Sequence, residues 1–238
     1  HIHSTNALLH GKHVLCEKPL AISIKHAEEI LEAERKSGKK LMVDHNQRFT
    51  KAHQKAKEII EKKELGEVLT FKTTFGHQGP ESWGVTKSNN TWFFKKDRSH
   101  SGVAGDLGIH KIDLIHYLLN DEIEEVHSFH GALDKVDEKC KPIEVCDNVV
   151  SVLKTKKGRL GTAAFSWTYY GKEDNSTIIY CQDGIMKICY DPIDQLIIER
   201  KDGGVVKYQL DPIQTNENQT NSGVIDSFID CIIHDKEP

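Results

Sequence analysis

A three-residue apolar run that ends abruptly in charged residues constrains this chain more than any other feature. The run Val14–Cys16 is followed at once by Glu17, Lys18 and Pro19. Such a run is typical of a strand buried on both faces of a parallel sheet. Ligands of open α/β sheets bind at the carboxyl ends of the strands, so Glu17 and Lys18 are candidate site residues, with a solvated strand end as the alternative. Pro19 favours an extended conformation at Lys18, which predicts one direction for the lysine stem.

The segments around this strand alternate between helix and strand. Residues 2–10 have the pattern of a helix that ends at Gly11, and Ser23 is the expected N-cap of a second helix that ends at Gly38. Residues 40–43 form the next apolar run. Helix, strand, helix and strand in this order predict the last part of a parallel α/β sheet, which we assign to residues 1–47.

The hydrophobic pattern changes from helical to alternating after Gly66. A helix is predicted over residues 49–65, a strand at 68–75, a loop-rich stretch with several aromatic residues at 76–105, and a helix at 106–120. We therefore expect an α+β domain in residues 48–238, with a large, mostly antiparallel, open-faced sheet. Its further strands are predicted at 126–133, 148–154, 160–167, 176–181, 184–189, 195–200 and 205–210, and a last helix at 223–233.

Charge and composition argue against some classes of function. The 238 residues carry a net charge of −4, which argues against nucleic acid as the main partner because phosphate binding needs a basic patch. No apolar run reaches membrane length and no signal peptide is recognisable, so we expect no membrane partner. The six cysteines form no Cys-x-x-Cys pair, which argues against a zinc ribbon and favours reduced thiols in a cytoplasmic protein.

A polar face on an otherwise apolar helix forms the second candidate site. Its members are spaced at i, i+4, i+7 and i+11, which places them on one side of the helix: Asp106, His110, Asp113 and Tyr117. A carboxylate four residues from a histidine can fix the tautomer of the ring and raise its basicity, as a general base requires. A buried hydrogen-bond network, N-terminal capping by Asp106, or a divalent metal at Asp106, His110 and Asp113 are the alternatives.

Two motifs resemble those of one family of oxidoreductases. They are Gly-Lys-His-Val-Leu-Cys-Glu-Lys-Pro-Leu-Ala at residues 11–21 and Asp-x-Gly-x-His-x-x-Asp at residues 106–113. Both are similar to motifs of the glucose–fructose oxidoreductase/inositol dehydrogenase family, abbreviated Gfo/Idh/MocA. The resemblance implies an N-terminal Rossmann domain that binds NAD or NADP, and a dehydrogenase acting on a sugar, polyol or derivative. His100 and Ser101 stand where the family carries two of three glycines, which leaves the substrate preference open.

The resemblance also implies roles for individual residues. Lys18 is expected beside the nicotinamide and the reacting carbon, and His110, oriented by Asp106, is expected to take the hydroxyl proton. Asn46 and Arg48 correspond to a family segment close to the nicotinamide, although a polar linker has the same composition. The expected catalytic residues are Lys18, Asp106 and His110; the cofactor-binding residues are Glu17, Lys18, Asn46 and Arg48; and the substrate-binding residues are Lys18, Trp92, Asp106, His110 and Asp113.

Alternatives to a dehydrogenase remain open from the sequence. They are a family member that cleaves glycosides with the help of NAD, a divalent-metal enzyme, and a non-catalytic member that senses nucleotide. Trp92 either covers the apolar face of a sugar or pins its loop to the core. The chain has no Gly-x-Gly-x-x-Gly motif and, by comparison with the family, begins inside the Rossmann domain, so we expect a fragment.

The alternating strands also predict self-association. A sheet with helices on one face leaves its other face open, and the strands contain more apolar side chains than a solvated face needs. The resemblance implies that such faces pair between subunits, so we expect a homodimer or homotetramer. The apolar residues on which this expectation rests are Val150, Val152, Phe165, Trp167 and Ile179.

Overall fold

The chain folds into two units. The computed structural model describes residues 1–85, 87–211 and 222–238. One unit comprises His1–Phe49 with Ile213–Pro238, and the other comprises Thr50–Pro212.

The C-terminal helix belongs to the first unit. The sequence pattern predicts this helix as part of the second domain, whereas in the structure it packs with the N-terminal residues. Lys40 Nζ lies 3.0 Å from Asp235 Oδ1, and Val224 and Cys231 are buried. The sequence could not show this return, because helical periodicity does not reveal which unit the apolar side of a helix covers.

Two parallel strands flanked by helices form the first unit. Its elements are α1 (Ile2–Leu9), β1 (Val14–Cys16), α2 (Ile24–Ser37), β2 (Leu41–Val43), a 3-10 helix (Asn46–Phe49) and, near the C-terminus, α7 (Val224–Ile233). The strands pair with Cys16 opposite Val43. Ser23 Oγ accepts a hydrogen bond from the His26 backbone N–H at 3.2 Å, and Gly38 has a left-handed φ of 62°, so both predicted ends of α2 are confirmed.

An eight-stranded sheet with helices packed against one face forms the second unit. Its helices are α3 (Lys51–Glu61), α4 (Pro80–Trp83), a 3-10 helix (Trp92–Phe94), α5 (Lys96–Ser99), a π-helix (Ala104–Gly108) and α6 (Ile109–Leu119). Its strands are β3 (Val68–Gly76), β4 (Ile123–Gly131), β5 (Asn148–Thr155), β6 (Leu160–Ser166), β7 (Thr177–Cys181), β8 (Gly184–Ile188), β9 (Leu196–Arg200) and β10 (Val205–Tyr208). The strand order is β10-β9-β8-β7-β3-β6-β5-β4. Among the strands described for this sheet, β3 and β6 pair in parallel and all other neighbours pair antiparallel, which confirms the predicted α+β domain with its mostly antiparallel sheet.

Three apolar residues do not lie on the open face of this sheet, where the sequence predicts them. Phe165, Trp167 and Ile179 are buried in the core beneath the helices, so their assignment to the open face is wrong. Val150 and Val152 are exposed on the opposite face, as expected. Successive side chains of a strand point to opposite faces, and composition alone does not say which set is covered.

The helix that carries the second motif begins as a π-helix. Ala104–Gly108 has π-helical geometry, and α6 starts at Ile109. The prediction of a regular helix from Asp106 is therefore wrong in its first turn. The sequence does not reveal this turn, because one wider turn hardly alters the spacing of apolar residues. A Cβ at Gly108 would lie 2.8 Å from Phe165 Cδ2, so only glycine lets this ring pack so closely on the turn. Single π-helical turns are frequent at functional sites.

The cysteines are free thiols, as the sequence predicts. Burial raises the pKa of the Cys181 thiol to about 11 and also raises the pKa of Cys189. Such thiols behave as small apolar groups and are poorly reactive. Across residues 1–85, 87–211 and 222–238, no helix combines the length and the apolar character needed to cross a bilayer.

Candidate active site

The carboxyl ends of β1 and β2 bring the first group of predicted site residues together. Glu17 and Lys18 directly follow β1, and Asn46 and Arg48 lie on the 3-10 helix that follows β2. A hydrogen bond from the Asp44 backbone N–H to the carbonyl oxygen of the last β1 residue, at 2.8 Å, holds the strands together at this end. The Glu17 carboxylate accepts the Lys18 backbone N–H at 3.2 Å. These predicted residues therefore share one edge of the small sheet.

Asp44 belongs to this edge, although it is not among the predicted site residues. Burial raises the pKa of its carboxyl group, the Glu17 carboxylate raises it further, and the Lys18 ammonium opposes both effects. Asp44 Oδ1 and Asn46 Oδ1 are buried and have no hydrogen-bond partner among the residues that the structure describes. The sequence signal for Asp44 is its place directly after an apolar run, the place that Glu17 has after β1.

The second group of predicted residues lies on the helical segment at 104–119. Asp106 is in the π-helical turn, and His110 and Asp113 follow on α6. The indole Nε1–H of Trp167, which is fully buried, donates to Asp106 Oδ2 at 3.1 Å. The His110 ring centroid lies 6.0 Å from that of Phe75. Trp167 is 61 residues from Asp106 in sequence, so no local motif could have pointed to it.

A continuous set of ring contacts connects Phe75 to Trp92. His77 lies edge-on to Phe75, with ring centroids 5.6 Å apart, and edge-on to Trp83 at 5.9 Å. Trp83 contacts Phe93 at 5.2 Å, and Phe93 stacks on Trp92 at 3.9 Å. We call these five residues the aromatic cluster. Trp92 is 55 % exposed, which leaves part of its ring open to a ligand.

Lys111 is a buried cation that is not among the predicted site residues. It follows His110 in sequence, and its side chain is fully buried. Lys111 Nζ donates to the Asn175 carbonyl oxygen at 2.8 Å and to Thr177 Oγ1 at 3.3 Å. Desolvation lowers the pKa of Lys111 to about 8, against smaller opposing effects of a nearby thiol and two carboxylates. The sequence signal is a lysine that lies off the polar face of an apolar helix.

The metal hypothesis for α6 gains no support from the geometry. Among the described residues, the candidate ligand atoms that come within 4.8 Å of one another belong to His1, His26 and Glu29, and none of them lies on α6 or the π-helical turn. His1 and His26 stack in parallel, with centroids 3.7 Å apart and an interplanar angle of 4°. The nitrogen lone pairs of parallel rings do not converge on a shared ion, so this group also lacks the geometry of a metal site.

Comparison with known proteins assigns both units to one family. Residues 2–45 match the oxidoreductase family with an NAD-binding Rossmann fold, and residues 53–187, more than half of the chain, match the GFO/IDH/MocA C-terminal domain. The chain belongs to the Gfo/Idh/MocA family. The resemblance on the Glu-Lys-Pro and Asp-x-Gly-x-His-x-x-Asp motifs is therefore confirmed.

Three curated relatives illustrate the similarity of this Gfo/Idh/MocA chain. The levoglucosan dehydrogenase of Pseudarthrobacter phenanthrenivorans is 27% identical over 217 residues, which cover 82% of this chain and 55% of the relative. The myo-inositol 2-dehydrogenase of Thermotoga maritima is 29% identical over 150 residues, 63% of this chain and 41% of the relative. The D-glucoside 3-dehydrogenase of Escherichia coli is 35% identical over 118 residues, 49% of this chain and 32% of the relative. The chain spans about half the length of the first of these relatives and less than half the length of the other two.

Solved structures share the fold. A levoglucosan dehydrogenase in complex with NADH has a TM-score of 0.85 and 23% identity, over 100% of this chain and 68% of that chain. An NAD binding oxidoreductase from Klebsiella pneumoniae has a TM-score of 0.78 and 26% identity, over 88% of this chain and 57% of that chain. The first similarity shows the fold alone.

Proposed function

We propose that this Gfo/Idh/MocA chain is part of an NAD(P)-dependent dehydrogenase. This enzyme transfers a hydride between a nicotinamide cofactor and a hydroxyl-bearing carbon of a sugar, polyol or derivative. The observation that carries the proposal is that one helical segment holds Asp106, His110 and Asp113. The Trp167 indole, from outside this segment, donates a hydrogen bond to the Asp106 carboxylate. Relatives named as dehydrogenases of levoglucosan, myo-inositol and glucosides support this class of reaction.

Each polar residue has a distinct role in the proposed mechanism. His110 accepts the proton of the substrate hydroxyl, and Asp106 orients its ring. Lys18 donates a hydrogen bond to the same oxygen and stabilises the negative charge that develops there. Asp113 binds a substrate hydroxyl, and Trp92 packs against the apolar face of the sugar.

The edge of the small sheet fits the nicotinamide end of a dinucleotide. Asp44 Oδ1 and Asn46 Oδ1 are buried acceptors without a partner in the described part of the chain, and a carboxamide or ribose hydroxyls offer the donors that they lack. Glu17 and Arg48 lie at the same edge. When bound, NAD or NADP accepts the hydride from the substrate carbon.

A screen of sugars and polyols with NAD and NADP tests the proposed reaction. The assay uses protein that includes a complete dinucleotide-binding domain and follows the absorbance of the reduced nicotinamide. We expect turnover of at least one sugar or polyol, and its loss in His110→Ala. Absence of turnover with every compound, or full activity of His110→Ala, contradicts the proposal.

The family resemblance and the exposed apolar residues of the large sheet support a homodimer or homotetramer formed through the open face of that sheet. Phe129 is 90 % exposed on this face, directly opposite Val150 in the strand register, and Val152 and Leu160 are exposed nearby. An exposed apolar patch of this kind is typical of a subunit interface. Phe129→Asp should give a monomer in light scattering, whereas Val205→Asp on the edge strand β10 should not. A monomeric wild type at micromolar concentration contradicts this assembly.

Free thiols support a cytoplasmic location. Six cysteines without a disulfide are suited to a reducing compartment, where thiols persist. Thiol titration of the denatured protein, purified without reductant, should therefore find every cysteine reactive. A disulfide recovered from the native protein contradicts the proposed location.

A further inference from the structure

His77 is a polar member of the aromatic cluster that neither motif includes. It directly follows β3, and its backbone N–H donates to the Ser166 carbonyl oxygen at 3.1 Å. On the other side of the strand, Gly76 and Asp174 exchange two backbone hydrogen bonds of 2.8 and 2.9 Å. The backbone is thus fixed from both sides, and the His77 side chain projects from a rigid element.

The protonation of the His77 ring follows from its hydrogen bond to Gln78. Nδ1 bonds to the Gln78 carbonyl oxygen, and because a carbonyl can only accept, Nδ1 carries the hydrogen. The same carbonyl accepts the Trp83 indole N–H at 3.2 Å, which holds it in place. In the neutral ring Nε2 is therefore an acceptor, and it has no hydrogen-bond partner among the residues that the structure describes.

Packing fixes the orientation of this ring between two parts of the proposed site. Phe75 and Trp83 contact it edge to face, with interplanar angles of 81° and 83°. Phe75 also contacts His110, so a single ring separates His77 from the proposed base. In the other direction, Trp83 leads through the aromatic cluster to Trp92, the proposed stacking residue.

We propose that His77 is a specificity-determining residue whose Nε2 accepts a hydrogen bond from a substrate hydroxyl other than the one that is oxidised. The assignment rests on the proposed function, because it takes His110 as the base and Trp92 as the stacking residue. A sugar or polyol that presents its reacting hydroxyl to His110 carries further hydroxyls. The fixed acceptor at His77 selects the isomer that directs one of them toward it.

His77→Phe separates this hydrogen bond from the packing of the ring. Phenylalanine keeps the contacts with Phe75 and Trp83 and removes Nε2, together with the Nδ1–H donor to the Gln78 carbonyl, which still accepts the Trp83 indole N–H. For the best substrate we expect KM to rise about tenfold and kcat to change by less than about threefold, because the lost interaction binds ground state and transition state alike. His77→Gln, whose amide oxygen can accept the same bond, should recover part of the affinity. His130→Phe, on the exposed edge strand β4, is the matched control and should change neither parameter.

Monodeoxy analogues of the best substrate identify the hydroxyl involved. For one of them, wild type and His77→Phe should have equal kcat/KM, because neither complex contains the hydrogen bond. An unchanged KM for the parent substrate, or an equal loss for the parent and every analogue, overturns the role of His77 and leaves the proposed function intact. Absence of turnover by wild type with every sugar and polyol overturns the proposed function, and the role of His77 with it.

Discussion

The two regions that carry the candidate site residues are built in different ways. The edge at β1 and β2 consists of residues close together in sequence, such as Glu17 with Lys18 and Asp44 with Asn46. The region around His110 depends on contacts between distant segments, such as the Trp167 indole on Asp106 and the Lys111 ammonium on the Asn175 carbonyl. The first region is a set of strand ends, whereas the second is part of a packed core.

This difference determines how substitutions act. A side chain at a strand end can be shortened without opening the core, so activity should change more than the free energy of unfolding. Around His110, polar groups are satisfied by partners inside the core, and removing one leaves the other unpaired. Substitutions there should change activity and stability together.

Removal of the two proposed chemical groups should give the largest effects and the clearest contrast. Lys18→Ala and His110→Ala should each lower kcat by about 10²–10⁴, the usual range for oxyanion and acid–base contacts. We expect thermal unfolding to change little in Lys18→Ala and more in His110→Ala. Lys12→Ala, an exposed lysine of the same segment, is the matched control and should keep full activity. Full activity of Lys18→Ala with unfolding of His110→Ala would instead indicate a solvated strand end and a structural network.

The pH dependence of stability should reveal the buried cation of the second region. The pKa of Lys111 is lowered from 10.5 to about 8 in the folded chain, so the unfolded chain binds more protons between these values. The contribution of Lys111 to the free energy of unfolding should therefore rise with pH over this range, by at most about 3 kcal/mol, whereas the raised pKa values of Cys181 and Cys189 act in the opposite direction. Lys111→Met should lack this rise. Lys187→Met, which removes a lysine paired with Glu199, should retain it in the same urea titrations.

An equal change of stability with pH in Lys111→Met and wild type would show that Lys111 contributes nothing to it. In that case Lys111 is not a buried charge in solution, and the contrast between the two regions loses its main electrostatic support. The first region offers no comparable fully buried lysine among its described residues.

Lys111 and Trp167 also show where reasoning from sequence stops. The strand Val14–Cys16, the Ser23 cap and the Gly38 end of α2 could be predicted because each depends on a few neighbouring residues. The mostly antiparallel sheet could be predicted from alternation and turn residues. The partners of Lys111 and Asp106 could not, because hydrophobic periodicity carries no record of contacts between residues more than 60 positions apart.

The candidate site divides along the same line. The residues after β1 and β2 could be named because strand ends are ligand sites in open α/β sheets. His110 could be named from its motif, but His77 could not, because one histidine among fourteen has no distinguishing pattern. The π-helical turn before α6 escaped prediction because it alters the chain over a single turn.

Loss of the indole donor should give a smaller effect than loss of the base. Trp167→Phe removes the hydrogen bond to Asp106 and should lower kcat about tenfold with little change in KM, because Asp106 then holds His110 less firmly. Phe94→Leu disturbs packing on the same ring but keeps the indole N–H, so it should lose stability and keep kcat. Equal kcat losses in the two variants would assign the effect of Trp167 to packing.

The smallest expected effect concerns the loop before the π-helical turn. His100 has a φ of 63° and a ψ of −57°, a conformation that suits glycine, and the family resemblance expects glycine near this position. His100→Gly should therefore raise the free energy of unfolding by about 1 kcal/mol, and the melting temperature by about 3 °C. His127→Gly, in the strand β4, should lower both. Destabilisation by both substitutions would show that His100 makes compensating contacts.

A double-mutant cycle of Lys18 and His110 tests most directly whether the two regions act in the same chemical step. If both residues act on one substrate oxygen, their contributions to kcat are not independent. The measurement compares kcat of wild type, Lys18→Ala, His110→Ala and the double variant with the best substrate at saturating cofactor. We predict that the double variant loses much less than the product of the two single losses. A loss equal to that product would contradict the proposal that the strand edge and α6 serve the same chemical step.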